Sequence, residues 1–329
     1  MKKMTYGEGI REALRIKMLE DPNVVLLGED VGPYGGTFGV TKGLWEEFGE
    51  KRVRDTPISE GIIVGASVGA AATGLRPVPE LMFMDFLAFG MDSLVNQAAK
   101  MRYMFGGKIS VPMVLRLPTG GGMNAGAQHS QSLEAWVTHI PGLKVVFPSN
   151  AEDAWGLMLT AIEDNNPVCY LESKALYARK SEVPDHVAPI PFGVAKVKRE
   201  GRDVSVITYG KQVHDALTAA EQLAREGIEA EVIDLRSLYP LDKDMIRATV
   251  AKTHRAVVVT EEVKRGGYGG ELSAMISEEM FDELDAPVVR IGALNTPVPY
   301  APDLETVVLP NAADIVNGVK SMGLNKAIL

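Results

Sequence analysis

The stretch VSVITYGKQVHDALTAAEQLAREGIEAEVIDL, residues 204–235, contains two apolar runs on either side of a segment with helical spacing. Its first six and last six residues are short, mostly apolar runs, which are typical of buried strands. Between them, Val213, Leu217, Ala220 and Leu223 recur at intervals of three and four residues and line one face of a helix. This pattern predicts a doubly wound α/β sheet with parallel strands in this half of the chain.

The same alternation extends in both directions along the chain. Thr5 and Glu8 have the spacing of a capping box, which predicts that a helix starts at the N-terminus. Further strands are predicted over 24–27, 81–84, 111–117, 168–171, 256–260 and 288–291, and further helices over 93–103 and 151–163. Strands that alternate with helices predict a mostly parallel sheet that is covered on both faces.

A polar stretch between residues 173 and 195 interrupts this alternation. It contains three prolines and shows no hydrophobic periodicity, which is typical of the segments that join domains. The chain has 329 residues, a length that corresponds to about two domains of roughly 100–200 residues each. We therefore predict one domain over residues 1–190 and a second over residues 191–329.

The composition argues against several classes of protein. The formal net charge of −9 disfavours a nucleic-acid partner, which would require a basic patch. Cys169 is the only cysteine, so the chain cannot form an intramolecular disulfide or a cysteine-rich metal site. The N-terminus lacks the apolar segment of a signal peptide, and no apolar run reaches the roughly 18 residues of a membrane span. We therefore expect a cytoplasmic protein with no membrane partner.

Two side chains stand where a parallel sheet would place functional groups. His129 lies in the loop GGGMNAGAQHS, residues 120–130, which follows a predicted strand, and ligands bind at the carboxyl ends of such strands. Glu60 opens a predicted helix in DTPISEG, residues 55–61. The pattern leaves alternatives open, because His129 could be a hydrogen-bonded loop histidine. Likewise, the helix dipole favours an acidic residue at the position of Glu60 whatever its function.

The glycine-rich and turn segments carry no recognised nucleotide or metal motif. Residues 28–43 contain six glycines and fit either an ordered functional loop or a flexible surface loop. The sequence has no GxxxxGK phosphate loop and no HExxH motif, and residues 266–270 lack the spacing of a dinucleotide fingerprint. The pattern of residues 162–167 is that of an ordinary helix C-terminus before a proline.

Twelve segments in a fixed order resemble one known family. Eight of them lie in the first half of the chain: LLGEDVG, YGGTFGVTKGL, RVRDTPISEG, GLRPVPELMFMDF, NQAAKMRYMFGG, AQHSQSLEAW, HIPGLKVVFPSN and AIEDNNPV. The others are VKREG, YGKQVHDAL, AEVIDLRSLYPLD and TPVPY. The chain resembles the beta subunits of thiamine-diphosphate-dependent 2-oxo acid dehydrogenases, a family that includes pyruvate, branched-chain and acetoin enzymes. The resemblance implies a pyrimidine-binding thiamine-diphosphate fold followed by a transketolase C-terminal-like doubly wound α/β domain.

The resemblance implies roles for four side chains in cofactor binding and catalysis. Glu60 matches the glutamate beside N1′ of the aminopyrimidine, whose carboxylate stabilises the tautomer that removes the C2 proton. Met82 and Phe86 match residues that contact this ring. His129 matches the beta-chain histidine at the reacting centre, which positions the substrate and assists transfer of the acyl group to lipoamide.

The resemblance also implies a structural potassium ion and two protein partners. The potassium positions that carry over, mostly through backbone carbonyls, are Met113, Ala161, Ile162, Asp164 and Asn166. The chain contains no Gly-Asp-Gly motif, which single-chain relatives such as transketolases use to bind magnesium and diphosphate. The resemblance therefore implies an alpha subunit that binds this half of the cofactor in an α2β2 heterotetramer. It also implies a lipoyl acyltransferase core that receives the acyl group.

Two other functions are compatible with the same fold, because a fold alone does not determine function. The chain could be a noncatalytic scaffold subunit of the same complex, although Glu60, Phe86 and His129 are all present. It could also be a stand-alone nucleotide-binding α/β protein, although it lacks the glycine fingerprint. Within the family, segments such as LRLPTGGG and AIEDNNPV favour the acetoin enzymes and are close to those of the pyruvate enzymes.

Overall fold

The computed structural model describes residues 1–324, which form two compact units. Residues 1–119 and 136–192 belong to the first unit, and residues 120–135 belong to the second unit together with residues 193–324. The domain boundary between residues 190 and 191 stays a prediction. None of the helices in the described part of the chain combines the length and the apolar character that crossing a membrane requires.

The first 192 residues contain eight strands and seven α-helices. The strands are β1 (Lys2–Thr5), β2 (Val24–Gly28), β3 (Val53–Asp55), β4 (Arg76–Glu80), β5 (Val114–Thr119), β6 (Lys144–Val146), β7 (Val168–Ser173) and β8 (Lys180–Val183). The helices are α1 (Tyr6–Glu20), α2 (Leu44–Phe48), α3 (Glu60–Ala72), α4 (Leu87–Asp92), α5 (Ala99–Met104), α6 (Glu134–Thr138) and α7 (Ala151–Glu163). A π-helical segment, Ser93–Ala98, joins α4 to α5, and 3₁₀ turns span Met84–Phe86 and Lys174–Leu176.

A parallel sheet forms the centre of the first unit, as the alternation of strands and helices predicts. Its strands lie in the order β6-β7-β5-β4-β2-β3 and pair in parallel, while β1 pairs with β8 in a separate antiparallel ladder. Helices α1 and α7 pack together, with Ile10, Leu14, Leu157 and Met158 fully buried in one apolar cluster. The predicted capping box of α1 is confirmed by reciprocal hydrogen bonds between Thr5 and Glu8.

The fourth strand begins earlier than the sequence predicts. A strand over residues 81–84 was expected, but β4 ends at Glu80 and the chain enters a 3₁₀ turn at Met84, so this prediction was wrong. Pro77 and Pro79 disfavour a strand in the sequence because proline has no N–H to donate. Arg76 N donates to the Asn23 carbonyl just before β2, and Leu81 N donates to the Arg116 carbonyl of β5. Because N–H groups alternate between the two sides of a strand, Pro77 and Pro79 lie on the β5 side. Strand β4 pairs in register with β5 only at Glu80, so the absence of an N–H group at each proline costs few hydrogen bonds.

The second unit contains the strand–helix–strand segment predicted over residues 204–235. Its strands are β9 (Lys196–Arg199), β10 (Val204–Thr208), β11 (Ala230–Asp234), β12 (Ser237–Tyr239), β13 (Ala256–Val263) and β14 (Val289–Ala293). Its helices are α8 (Gln212–Arg225), α9 (Lys243–Thr253), α10 (Tyr268–Glu279), α11 (Pro302–Val308) and α12 (Ala312–Lys320). The sheet order is β14-β13-β10-β11-β9, parallel except for β9. Helix α8 buries Val213, Ala220 and Leu223, while Leu217 is half-buried.

Candidate active site

Glu60 is the first residue of α3 and lies in the first unit. Only 9% of the residue is exposed, although it stands at a helix terminus. Helices α3 and α4 approach each other closely at this end. A Cβ added to Gly61 would lie 3.0 Å from the carbonyl oxygen of Phe89, and one added to Gly90 would lie 2.7 Å from Val64 Cγ2. The small residues of α3 therefore allow the start of this helix to pack against the segment that follows Phe86.

Phe86 belongs to an aromatic cluster in the same unit. Its ring packs edge-to-face on Phe83, with the centroids 6.1 Å apart, and Phe83 packs in the same way on Phe38 at 5.7 Å. The ring of Phe38 stacks on Tyr177 at 4.8 Å. Met82 and Phe86 are both half-buried, so part of their apolar surface is available to a ligand. The structure thus brings the predicted residues Glu60, Met82 and Phe86 into one unit.

Glu29 is a second buried acid near Glu60, and the sequence patterns did not identify it. Burial raises the pKa of Glu29, and the negative charge of Glu60 raises it further, while a hydrogen bond from the Ser59 backbone N–H lowers it. Among residues 1–324, no group hydrogen-bonds to Glu29 Oε1. The signal was available, because Glu29 directly follows β2 at the carboxyl edge of the parallel sheet.

A buried ion-pair cluster joins three neighbouring strands of the first unit. Arg116 on β5 donates two hydrogen bonds to the Glu172 carboxylate, at 2.7 and 2.8 Å, and also pairs with Glu80. Tyr177 Oη donates to Glu172 Oε2 at 2.6 Å. Burial raises the pKa of Glu80 even though Arg116 lowers it. Burial alone would lower the pKa of Arg116, but the charges of Glu172 and Glu80 raise it above its ordinary value.

His129 lies in the second unit, on the loop that precedes α6. Its backbone N–H donates to the Gly126 carbonyl at 3.3 Å. The loop borders a cavity of about 450 Å³ that residues 127–129 and 296–300 line. Gly126 has a φ of +77°, and a Cβ at this position would lie 2.3 Å from the Tyr300 ring. The cavity therefore places His129 beside the TPVPY segment, one of the segments that carry the family resemblance.

Four of the five predicted potassium positions, Ala161, Ile162, Asp164 and Asn166, lie at or just after the C-terminal end of α7, and Met113 directly precedes β5. The carbonyl of Met113 accepts a hydrogen bond from Val168 N at 2.9 Å, and the carbonyl of Ala161 accepts one from Asp164 N at 3.3 Å. The Asp164 carboxylate pairs with Lys144 and accepts from the N–H of Asn166.

Arg76 lies against the same group of carbonyls. Its Nη1 donates to the carbonyls of Ile162 and Asp164 at 2.9 and 3.1 Å, and its Nη2 donates to Asn165 Oδ1 at 2.7 Å. Each carbonyl oxygen keeps a second lone pair. The oxygens therefore fit an alkali cation, but such an ion would share two of them with a guanidinium.

Comparison with known proteins identifies both parts of the chain. Residues 2–180 match the family model described as "Transketolase, pyrimidine binding domain", and residues 193–315 match "Transketolase, C-terminal domain". The chain also superposes on a solved structure titled "Split gene transketolase, inactive beta4 tetramer" with a TM-score of 0.80, covering 98% of this chain and 99% of that chain. The two sequences are 23% identical, so this similarity concerns the fold alone.

Two relatives match almost the whole chain. The chain is 49% identical over 326 residues to the acetoin:2,6-dichlorophenolindophenol oxidoreductase subunit beta of Bacillus subtilis (strain 168), covering 95% of each chain. It is 46% identical over 319 residues to the pyruvate dehydrogenase E1 component subunit beta of Rickettsia conorii (strain ATCC VR-613 / Malish 7), covering 97% of this chain and 98% of the relative. With two domain matches and near-complete coverage, the chain belongs to the family of beta subunits of thiamine-diphosphate-dependent 2-oxo acid dehydrogenases.

Proposed function

We propose that this chain is the catalytic beta subunit of a 2-oxo acid or acetoin dehydrogenase, which cleaves or decarboxylates its substrate and transfers the acyl group to lipoamide. The observation that carries the proposal is the buried carboxylate of Glu60 at the start of α3. Burying an ionisable group costs free energy unless other interactions compensate. The helix dipole favours an acid at this position in any protein, but a subunit that binds a cationic or N–H-bearing ring would also use its burial.

The residues around Glu60 fit the aminopyrimidine ring of thiamine diphosphate. Glu60 is a buried acceptor, and Glu29 Oε1 is a second one without a hydrogen-bond partner in the described part of the chain, so both could receive N–H donors. The cofactor, when bound, supplies carbanion chemistry at its thiazolium C2. Glu60 would hold a proton at N1′ of the ring. Met82 and Phe86 would contact the ring and exclude water, which strengthens the interaction with the carboxylate.

We propose that His129 acts on the substrate. An imidazole can both donate and accept a proton. From the rim of the cavity bordered by residues 296–300, it would orient a substrate carbonyl and assist acyl transfer to lipoamide. His129 is half-buried, and Ala127 and Gln128 before it are exposed, so this part of the loop is accessible to a substrate.

A partner chain is needed to complete the site. The sequence contains no Gly-Asp-Gly motif, so we assign magnesium and diphosphate binding to an alpha subunit in an α2β2 heterotetramer. Three large apolar side chains near Glu60 are strongly exposed: Ile58 at 81%, Ile62 at 69% and Phe89 at 73%. Clustered apolar surface of this kind marks interaction sites on soluble proteins. We propose that a neighbouring subunit of the heterotetramer covers it.

Acetoin is the substrate to test first, followed by pyruvate. The relative named for acetoin is 49% identical to this chain and the relative named for pyruvate dehydrogenase 46%, and both names describe subunits that work with other chains. We propose that the acceptor of the acyl group is the lipoyl domain of an acyltransferase core. A cytoplasmic location also stays a prediction.

The isolated chain is expected to be inactive, and mixing it with its alpha subunit should restore turnover. The partner would be identified by affinity purification of this chain from its native cell, followed by mass spectrometry. Acetoin- and pyruvate-dependent reduction of an artificial electron acceptor would then be measured for each chain alone and for the mixture, with thiamine diphosphate and magnesium present. Turnover by this chain alone would show that the site is not divided between two chains.

We also propose a potassium ion at the carbonyls of Met113, Ala161 and Ile162, with Asp164 and Asn166. Rings of backbone carbonyls are the ligands that bind potassium in other proteins. Because a bound ion stabilises the folded state, potassium chloride should raise the thermal midpoint of the complex by about 2–4 °C. Sodium chloride at the same ionic strength is the control. An equal rise of the thermal midpoint with both salts would mean that these carbonyls do not bind potassium in preference to sodium.

A further inference from the structure

The loop that carries His129 is held by acidic side chains from distant parts of the second unit. The base of the loop is closed by a backbone hydrogen bond, in which Gly120 N donates to the Gln131 carbonyl at 3.1 Å. Between these two residues the loop contains no helix or strand. Its backbone N–H groups are therefore not paired within a helix or strand, and water or acceptors from elsewhere in the fold must satisfy them.

Two buried carboxylates accept these N–H groups. Glu261 on β13 accepts from Gly121 N at 2.7 Å through Oε1. Glu305 on α11 accepts from Gly122 N at 3.0 Å with Oε1 and from Asn124 N at 3.1 Å with Oε2. The exposed fraction is 8% for Glu261 and 4% for Glu305. Hydrogen bonds from backbone N–H groups to a carboxylate are stronger than those between neutral groups.

A third carboxylate holds the start of α6, which follows the loop. Glu262 on β13 accepts from Ala135 N at 3.4 Å and also from Tyr268 N at the start of α10. Burial raises the pKa of Glu262 to about 7, although these N–H donors and the Tyr209 hydroxyl lower it. Strand β13 therefore supplies one acceptor at the start of the loop and another at the start of the helix that follows it.

The glycines of the loop are required by this arrangement. A Cβ on Gly120 would lie 2.4 Å from Glu261 Oε1, and one on Gly121 would lie 2.5 Å from a methyl carbon of Leu309. Asn124 has a φ of +54°, a left-handed conformation that asparagine tolerates better than most residues. The sequence GGGMN thus matches a backbone that passes directly over two carboxylates.

We propose that Glu261 and Glu305 are positioning residues that hold the loop backbone and thereby orient His129 for its reaction. This inference rests on the proposed role of His129. Neither carboxylate needs to touch the substrate, because each acts through the loop. Both oxygens of Glu305 are used, on N–H groups two residues apart, so this side chain fixes the direction of the loop as well as its position.

The test compares Glu305→Gln with Asp303→Asn in the assembled enzyme. Glutamine keeps the size of the side chain but offers one acceptor oxygen and turns an NH₂ group toward an N–H donor. Amide hydrogen exchange of the peptide covering residues 120–133 should become about 10- to 100-fold faster, which corresponds to losing a charge-assisted hydrogen bond. Asp303 is exposed on the same helix, so its variant should exchange like the wild type.

Turnover is the second measurement. A small displacement of a catalytic group can lower turnover by about 10²-fold, so kcat of Glu305→Gln should fall about 10- to 100-fold while KM changes much less. Exchange elsewhere in the second unit should stay unchanged, which separates loss of loop position from general unfolding. If Glu305→Gln does not fold, Glu261→Gln provides the same comparison through Gly121.

The possible outcomes separate the two proposals. Unchanged exchange in residues 120–133 of a folded Glu305→Gln enzyme would overturn the positioning role. Faster exchange with unchanged turnover would support the role of Glu305 in fixing the loop backbone, but would overturn the claim that this orients His129 for catalysis. In that case the turnover of His129→Ala would be measured. Unchanged turnover of this variant would contradict the role proposed for His129.

Discussion

Replacing Glu60 by glutamine is expected to lower kcat by about 10²- to 10⁴-fold, the range by which a positioned acid or base accelerates proton transfer. Glutamine has nearly the same shape, so the packing of α3 against α4 should survive. It cannot carry the negative charge that stabilises a protonated ring nitrogen at N1′. The loss should therefore appear in the chemical step, with assembly and the thermal midpoint close to those of the wild type.

The measurement is steady-state turnover of the assembled enzyme, with light scattering to confirm the heterotetramer. Glu46→Gln is a matched control, because Glu46 is an exposed acid in the first turn of α2 in the same unit. Glu46→Gln should retain full activity. A fully active Glu60→Gln enzyme would exclude the role proposed for this carboxylate. An inactive enzyme that no longer assembles would mean that Glu60 is needed for assembly and not for the chemical step.

Replacing Arg116 by methionine is expected to destabilise the first unit by about 3–5 kcal/mol, the cost of removing one partner from a buried ion pair. Arg116 is 1% exposed, and its partners Glu80 and Glu172 are 3% and 0% exposed. Methionine fills most of the volume but leaves two carboxylates side by side without a cation. The thermal midpoint of the purified protein and its rate of unfolding in urea would measure the loss.

The surface pair of Arg15 and Glu47 provides a control with the same geometry. Arg15 also donates two hydrogen bonds to one carboxylate, at 2.7 and 2.8 Å, but both side chains are partly exposed. Exposed pairs contribute little because water screens them and ordering two long side chains costs entropy. Arg15→Met should therefore change the thermal midpoint very little. Equal losses from the two substitutions would show that burial does not matter here.

The destabilisation by Arg116→Met should depend on pH in a defined direction. Burial already raises the pKa of Glu80 in the wild type, and removing the guanidinium raises it further. A carboxyl whose pKa is higher in the folded state binds protons more tightly there, so folding is favoured at low pH and disfavoured as pH rises. The loss should be smaller at pH 5 than at pH 8. Adding Glu172→Gln should recover part of it, because one unpaired charge is removed.

Features that depend on neighbouring residues were readable from the sequence. The spacing of Val213, Ala220 and Leu223 predicted α8, and Thr5 with Glu8 predicted the start of α1, because a helix repeats every 3.6 residues and is capped by adjacent side chains. The strand over residues 81–84 was predicted wrongly for the same local reason. Pro77 and Pro79 disfavour a strand when the sequence is read locally. Strand β4 accommodates them because it pairs with β5 only at Glu80.

The candidate site was predicted only in part. The family resemblance pointed to Glu60, Phe86 and His129, but their patterns alone left structural explanations open. The sequence patterns did not indicate Glu29 as a buried acid beside Glu60, because α2 and β3 separate the two residues along the chain. Glu29 and Glu60 are neighbours because β2 ends, and α3 begins, at the same edge of the sheet.

The sequence by itself determined the α/β class, most of the helices and strands, and the family to which the chain belongs. Only the tertiary structure decided which charges are neighbours. Arg116 lies 36 residues from Glu80 and 56 from Glu172, and Gly121 lies 140 residues from Glu261. Local periodicity carries no information about such contacts. They form because strand register and packing bring distant backbone and side-chain atoms together, where burial makes each pairing necessary.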